Sequence, residues 1–221
     1  MDLTNTRMYI NPFCEIAMQE ASNLKAKKSV KEIVALSIGP KGEKKILWTP
    51  LALGADKAIY VNTDLRHDTA LQPLIVAKTM RHFIEREKID LVLLGKQCKF
   101  FHNLAVDDDC NQTGQILAGM LGWPQATFAS KVEIKDDAVE VTREVDTGLE
   151  TISMKSPAVV TCDLRLNTPK IAPLAMMMKA KKAPIEEVDL NSLNIASSKV
   201  KNVGTIEPPK KKAGIMVADV D

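Results

Sequence analysis

The sequence predicts an α/β fold: a mainly parallel open sheet with helices on both faces, extended by β-hairpins and ending in a long C-terminal arm. Three observations carry this prediction. Strand-like and helix-like runs alternate through Leu121, the order of βαβ units. The strand-like runs are short and apolar, as strands covered on both faces are. A polar loop, residues 107–115, lies between an apolar strand at Asp90 to Leu94 and an apolar helical run at Ile116 to Leu121, the place where open α/β sheets bind ligands.

Each element has a local reason. Asn11 followed by Pro12 reads as an N-cap with proline at the first helical position. Phe13, Ile16, Ala17, Ala21 and Leu24 then recur at helical spacing, predicting a helix to about Lys27. Ile33 to Ser37 is a β-rich run closed by Gly39-Pro40, Lys45 to Leu53 reads as helical, and Ala58 to Val61 as a short strand. Leu71 to Lys88 is predicted to be an amphipathic helix with Leu74, Ala77, Met80, Phe83 and Ile84 on its buried stripe. Phe128 to Ile134 and Val139 to Val145, joined across Lys135-Asp136-Asp137, read as a hairpin; Leu149 to Met154 and Ala158 to Cys162 add two strands. From Asn167 the chain is rich in Pro, Lys, Met and Ala with weak periodicity, which predicts an extended arm. The expected organisation is an α/β domain over residues 1–163 and an arm over 164–221.

With 30 Lys and Arg against 28 Asp and Glu in 221 residues, no overall field points to nucleic acid. The basic clusters at Lys179, Lys181 and Lys182 and at Lys210 to Lys212 read first as solvated. Cys14, Cys98, Cys110 and Cys162 form neither a C-x-x-C pair nor a Cys/His ligand cluster, so reduced thiols are expected. No apolar run approaches the roughly 20 residues that cross a bilayer, and Met1 to Ile10 hold neither a secretory core nor an Arg-rich amphipathic pattern. Direct membrane insertion is not expected. His67, His82 and His102 lie in no catalytic motif, and no catalytic residue is assigned.

The loop carries the functional reading. The first N–H groups of a helix lack backbone partners and, with the macrodipole, favour an anion by roughly 0.3 to 1 kcal/mol. Asn111, Gln112, Thr113 and Gly114 suit a phosphate, being small or amide-bearing, with a glycine that admits close backbone approach. Asp107, Asp108 and Asp109 oppose it unless they cap amides or face a ribose. Plain helix capping accounts for the same residue types equally well. A magnesium site at these aspartates ranks below both, and no metal is assigned. Neither G-x-G-x-x-G nor G-x-x-x-x-G-K-[ST] occurs, so nothing here grips a flavin alone or cradles a triphosphate.

The run D-D-D-C-N-Q-T-G-Q, Asp107 to Gln115, with L-V-L-L-G-K-Q, Leu91 to Gln97, resembles the β subunit of electron-transfer flavoprotein, most closely the animal mitochondrial form. Asn11 to Ala17, Gly122 to Gln125, Thr127 to Ser130, Gly148 to Thr151, Pro157 to Thr161 and Asp163 to Asn167 match in the same order, so the resemblance covers nearly the whole chain. It implies an adenine-nucleotide α-hydrolase-like fold and an electron carrier without bond-making chemistry. It further implies a heterodimer with an α subunit that holds most of the FAD, while the β subunit buries a structural AMP. Electrons would pass from acyl-CoA dehydrogenases to a membrane quinone oxidoreductase, in the mitochondrial matrix.

By the same resemblance the nucleotide falls to Asn11, Pro12, Phe13 and Cys14, to Gly95, Lys96 and Gln97, and to Asp107, Asp108, Asp109, Cys110, Asn111, Gln112 and Thr113. Phe13 is also expected near the flavin ring across the subunit interface; read locally, it is a hydrophobic staple. Leu174 matches the anchor leucine of a loop that docks into acyl-CoA dehydrogenases. Met176, Met177 and Met178 beside it suit an adaptable apolar surface, or equally a cover for the chain's own core. Lys179 and Lys182 match lysines the family methylates. From another class, a stand-alone ATP-dependent hydrolase or transferase of the same α/β type remains, without a phosphate motif to support it.

Several positions depart from the family pattern. Only Met1 to Ile10 precede the N-P-F-C helix, where the family has a β-strand and a long loop, so open strand edges beside the nucleotide are expected, and with them a poorly functional product as a third reading. Cys98 to Leu104 is an insertion between G-K-Q and D-D-D. Pro50 falls in a helix interior, at a cost of roughly 3 kcal/mol if that helix is unbroken. Ile38 and Thr147 replace a cysteine and a glycine.

Overall fold

The computed structural model describes residues 9–66, 70–97 and 110–195, together with Val200, Val203, Gly204, Ile206, Glu207, Pro209, Lys210 and Gly214. His67, His102, Asp107 to Asp109 and the Cys98 to Leu104 insertion lie outside the described residues.

Helix α1 (Pro12–Ala26) starts where Asn11-Pro12 predicts. It is followed by β1 (Val34–Gly39), a 3-10 turn (Lys44–Leu47), α2 (Trp48–Ala52) and β2 (Lys57–Asn62). The break between the 3-10 turn and α2 answers the expected penalty at Pro50. The proline is the third residue of a new helix, where an N–H has no intrahelical partner to lose, so the cost of an unbroken helix does not arise. Next come α3 (Pro73–Glu87), β3 (Leu91–Gly95) and α4 (Thr113–Leu121). The buried stripe of α3 is Ile75, Val76, Ala77, Thr79, Phe83 and Ile84; Leu74, expected inside, is only half-buried. Thr79 takes the inner place because its hydroxyl donates to the Ile75 carbonyl at 2.8 Å, which leaves no polar atom unpaired.

Three antiparallel strands follow, β4 (Gln125–Lys135), β5 (Ala138–Val145) and β6 (Gly148–Lys155), and β7 (Ala158–Cys162) returns between β3 and β4, parallel to both. Side chains alternate cleanly between the two faces of this sheet. Leu93, Val160 and Cys162 pack on the side of α1, while Val92, Leu94 and Val159 pack against α3 and α4. On β2, Ile59 and Val61 face α3, and Ala58 and Tyr60 face the 3-10 turn and α2. Helices therefore cover both faces of a mainly parallel open sheet, as predicted.

Two differences matter for function. The described strands form two sheets instead of one, ordered β1-β2-β8 and β3-β7-β4-β5-β6, so among the described residues β1 and β3 each have one unpaired edge, in line with the open edges expected. The arm is also less extended than its composition predicts: it contains α5 (Leu174–Ala180) and β8 (Glu186–Asp189), which pairs with β2 in parallel. Four residues, three of them carboxylates, show no period by themselves. Distant charges hold them: Arg86 reaches Glu186 at 2.7 Å, Lys57 lies 2.7 Å from Glu87 and 3.5 Å from Glu186, and Lys44 pairs with Glu187. The start of the arm is fastened separately. Asn167 donates to the Ile16 carbonyl and to buried Glu20, and Gln19 accepts from the Lys170 amide.

The hydrogen bond from Arg86 holds the Glu186 carboxyl below the usual carboxylate value, and the bond from Lys57 does the same to Glu87. Groups shifted this way stabilise the fold above their ordinary pKa, and the contribution is lost as pH falls through the folded-state value. Arg86→Gln should therefore lower the urea midpoint near neutrality, and the gap from the parent chain should close on acidification from pH ~6 to ~3. A gap that stays constant across that range would mean that Arg86 acts through packing on Phe83 instead.

Candidate functional site

The C-terminal ends of β3 and β7 lie between the first turns of two helices. On one face, Gly95 meets α1 so closely that an added Cβ would stand 2.6 Å from Phe13 Cβ and 2.8 Å from the Cys14 backbone nitrogen. On the other face, a Cβ on Gly114 would stand 2.6 Å from Thr161 Cγ2. The glycine expected to admit a phosphate thus serves helix–sheet packing: α4 needs it to close on β7 and Leu94.

Asn11 occupies the N-cap position of α1 but does not cap it with its side chain. Its amide instead donates to the Gln97 carbonyl at 2.9 Å, tying the loop after β3 to the start of α1. Asn11 is buried, and its Oδ1 has no hydrogen-bond partner among the described residues. An orphaned buried acceptor costs roughly 1 to 3 kcal/mol, so a donor at that point is physically favoured.

The N-cap residue of α4 also makes no side-chain cap bond. Gln112 stands at the cap position with no such bond, and Asn111 before it adopts a left-handed φ of 58°. Asn111 Oδ1 accepts from Gln115 Nε2 at 3.3 Å, and Gln115 Oε1 is a second buried acceptor without a described partner. Thr113 is fully buried and Cys110 is exposed. Cys14, Cys110 and Cys162 form no disulfide, and burial pushes the Cys162 thiol far above its ordinary value.

Lys96 extends from the end of β3 to an ion pair with Asp163 at 3.0 Å. Its ammonium lies 5.4 Å from the Phe13 ring centre and 5.3 Å from that of Phe128, within cation–π range of both. Phe128 sits at a bulge in β4 with a φ of 59°, its amide bonded to Thr161 Oγ1. Such a conformation is strained for a bulky residue and holds the ring over Lys96. Phe13 is only 5% exposed, so within this chain its ring is packed, and α1 is pinned by it.

The structure thus brings Asn11, Pro12, Phe13, Cys14, Gly95, Lys96 and Gln97 to one junction, with Cys110, Asn111, Gln112 and Thr113 at the head of α4 on the opposite face. Phe128, Thr161 and Asp163 belong to the same region, and sequence reasoning gave them no role. A bulge and a positive φ leave no local signature in T-F-A-S.

The arm's apolar residues stand elsewhere. Leu174 is 79% exposed, Met176 and Met178 are exposed, and Met177 is half-buried, while the helix docks by Ala180 and by Lys181 over the Trp48 ring at 5.5 Å. Core covering therefore does not explain Leu174. Lys179 and Lys182 are exposed. Among the described residues no group of His, Cys, Asp and Glu is arranged to hold a metal ion, and no helix is long and apolar enough to cross a membrane.

The electron transfer flavoprotein domain matches residues 3–193. The chain belongs to the electron transfer flavoprotein family. It is 50% identical to the electron transfer flavoprotein subunit beta of Dictyostelium discoideum over 222 aligned residues, which cover 100% of this chain and 84% of that relative. The mouse subunit beta is 51% identical over 209 residues, 94% of this chain and 79% of the relative. The rice subunit, named as mitochondrial, is 46% identical over 100% of this chain and 85% of its own length. The chain is thus an electron transfer flavoprotein of the beta kind, an electron carrier and not an enzyme.

Gly95→Ala should lower the urea midpoint by the equivalent of about 1 to 3 kcal/mol, because the new methyl meets backbone that cannot give way. Gly119→Ala, in α4 with open space around it, should raise stability by roughly 0.5 to 1 kcal/mol. Equal midpoints for the two variants would refute a rigid contact at Gly95.

Proposed function

We propose that this chain forms a heterodimer with an electron-transfer flavoprotein α subunit and holds AMP, as a structural group, where α1, β3 and α4 converge. The observation that carries the site is the buried Asn11 Oδ1, without a hydrogen-bond partner among the described residues, beside the Gly95 to Gln97 turn, in a chain of this family. A carboxamide oxygen there suits a donor such as an adenine amine or a ribose hydroxyl. The first N–H groups of α4 suit one phosphate. Lys96 is committed to Asp163, which supports a monophosphate over a triphosphate. Asp107, Asp108 and Asp109 are assigned to the same site by family resemblance alone.

FAD, when bound, accepts and releases the electrons, and it is held mainly by the α subunit. The role of this chain is to shape and dry the subunit interface, with Phe13 and Phe128 as aromatic residues at the junction. Leu174, with Met176, Met177 and Met178 on exposed α5, is the docking surface for acyl-CoA dehydrogenases. A membrane quinone oxidoreductase takes the electrons onward, and the mitochondrial matrix is the compartment, in keeping with the name of the rice relative. Lys179 and Lys182, exposed at the end of that helix, are available for methylation.

Co-expression with the α subunit tests the assignment directly. The purified complex should carry AMP and FAD in equal amounts, and Asn11→Ala should weaken AMP binding by roughly 0.5 to 1.5 kcal/mol by calorimetry while FAD content holds. Tighter binding of ATP than of AMP would overturn the site. Leu174→Ala should slow electron transfer from acyl-CoA dehydrogenases with assembly and AMP content unchanged; loss of the heterodimer would move the residue from docking to packing.

A further inference from the structure

Lys96 follows the C-terminal end of β3, a strand-end position from which a flexible lysine stem can meet phosphate oxygens. In this chain it is turned to another task. Its ammonium lies 3.0 Å from Asp163 Oδ2, with both side chains 20% exposed, and the rings of Phe13 and Phe128 stand beside it with centres at 5.4 and 5.3 Å. We propose, on the nucleotide reading of the junction, that Asp163 is its specificity-determining residue: it holds Lys96 away from further phosphates and so restricts the site to a nucleoside monophosphate.

The lock on Lys96 is built by the backbone of three strands. The Lys96 N–H donates to the Cys162 carbonyl at 3.1 Å and the Asp163 N–H to the Ala129 carbonyl at 3.0 Å, so β3, β7 and β4 set the two charged residues side by side. The other carboxylate oxygen of Asp163 accepts from the Leu164 amide, which leaves Oδ2 for Lys96. Phe128 is held at its φ of 59° by the 3.1 Å bond from its N–H to Thr161 Oγ1. That conformation is costly for a bulky residue, and here it places the ring beside the ammonium. An exposed ion pair is weakened by water and by loose side chains. Enclosure between two rings removes much of both.

Selection follows from the charges. One phosphate at the head of α4 is met by backbone N–H groups and needs no lysine. Each further phosphate adds negative charge and calls for a cation, and Lys96 serves it only by leaving Asp163. The carboxylate is then left largely buried without its cation, close to a polyanion of like charge. The first turn of α4 thus admits a monophosphate, while the Lys96–Asp163 pair opposes a longer phosphate chain.

The heterodimer co-expressed with the α subunit, stripped of nucleotide, is titrated with AMP, ADP and ATP by calorimetry. Asp163→Asn keeps the shape and removes the charge, and it should shift the ratio of ATP to AMP affinity toward ATP at least tenfold. Asp163→Glu should keep the parent ratio. Lys96→Gln added to Asp163→Asn should cancel the shift, because the freed ammonium is what meets the added phosphates. Should Asp163→Asn fail to assemble, Phe128→Ala opens one wall of the lock and should move the ratio in the same direction. AMP binding with an unmoved ratio in these variants would overturn the role of Asp163 and leave the nucleotide reading standing. A shift of equal size in the double variant would overturn it too, since Lys96 would then play no part. A parent complex that binds no AMP would overturn the nucleotide reading and the selection together.

Discussion

The strand pair β3–β7 is gripped at its C-terminal end by two helix starts, and each grip depends on a missing side chain. Gly95 lets α1 settle on one face, and Gly114 lets α4 settle on the other. The remaining features of the junction follow from that closeness. Asn11 is carried near enough to hold the Gln97 carbonyl, Phe13 is pressed beneath Lys96, and Lys96 is steered to Asp163 with Phe128 over it. A methyl at either glycine separates the helix from the strand, and the polar groups at the strand ends lose their geometry together.

For an electron carrier this is a fitting division of labour. With no bond-making step to perform, the chain contributes rigidity and placement, and close packing supplies both. The helix starts at Gly95 and Gly114 are in close contact with the strands. Other elements are held less closely: β1 is half-buried, β8 is held by ion pairs at the surface, and exposed Leu174 stands on a short helix anchored through Ala180 and Lys181. Leu174, the proposed docking residue, is among these less closely held elements.

Much of the fold was legible because local signals agreed with the final environment. Proline at helix starts, apolar strand runs and the hairpin turn at Asp136 all appear where sequence placed them. The failures have a common cause in long-range contact. β8 is a strand because it pairs with distant β2, with Lys57 and Arg86 reaching its carboxylates, and buried Thr79 is satisfied because its hydroxyl donates to the Ile75 carbonyl. Asn11 stands at the N-cap position where it was read, but its amide reaches 86 residues along the chain to Gln97, which no local signal shows. Gly114 was read only as a glycine that admits a phosphate, and its packing role was missed because Thr161 is invisible from its neighbours in sequence. Phe128 stood in a family block, but nothing local foretold the bulge that turns its ring toward Lys96.

The proposed occupant of the junction of α1, β3 and α4 is a mononucleotide. Hydrogen–deuterium exchange of the co-purified heterodimer, stripped of nucleotide and then supplied with AMP, measures this most directly. Slowed exchange in residues 11–14, 95–97 and 110–113, appearing together at one AMP concentration, is the predicted result. Protection confined to the hollow beside Arg81, Lys88 and Trp123 between α3 and α4, or no protection at the junction at all, would contradict it.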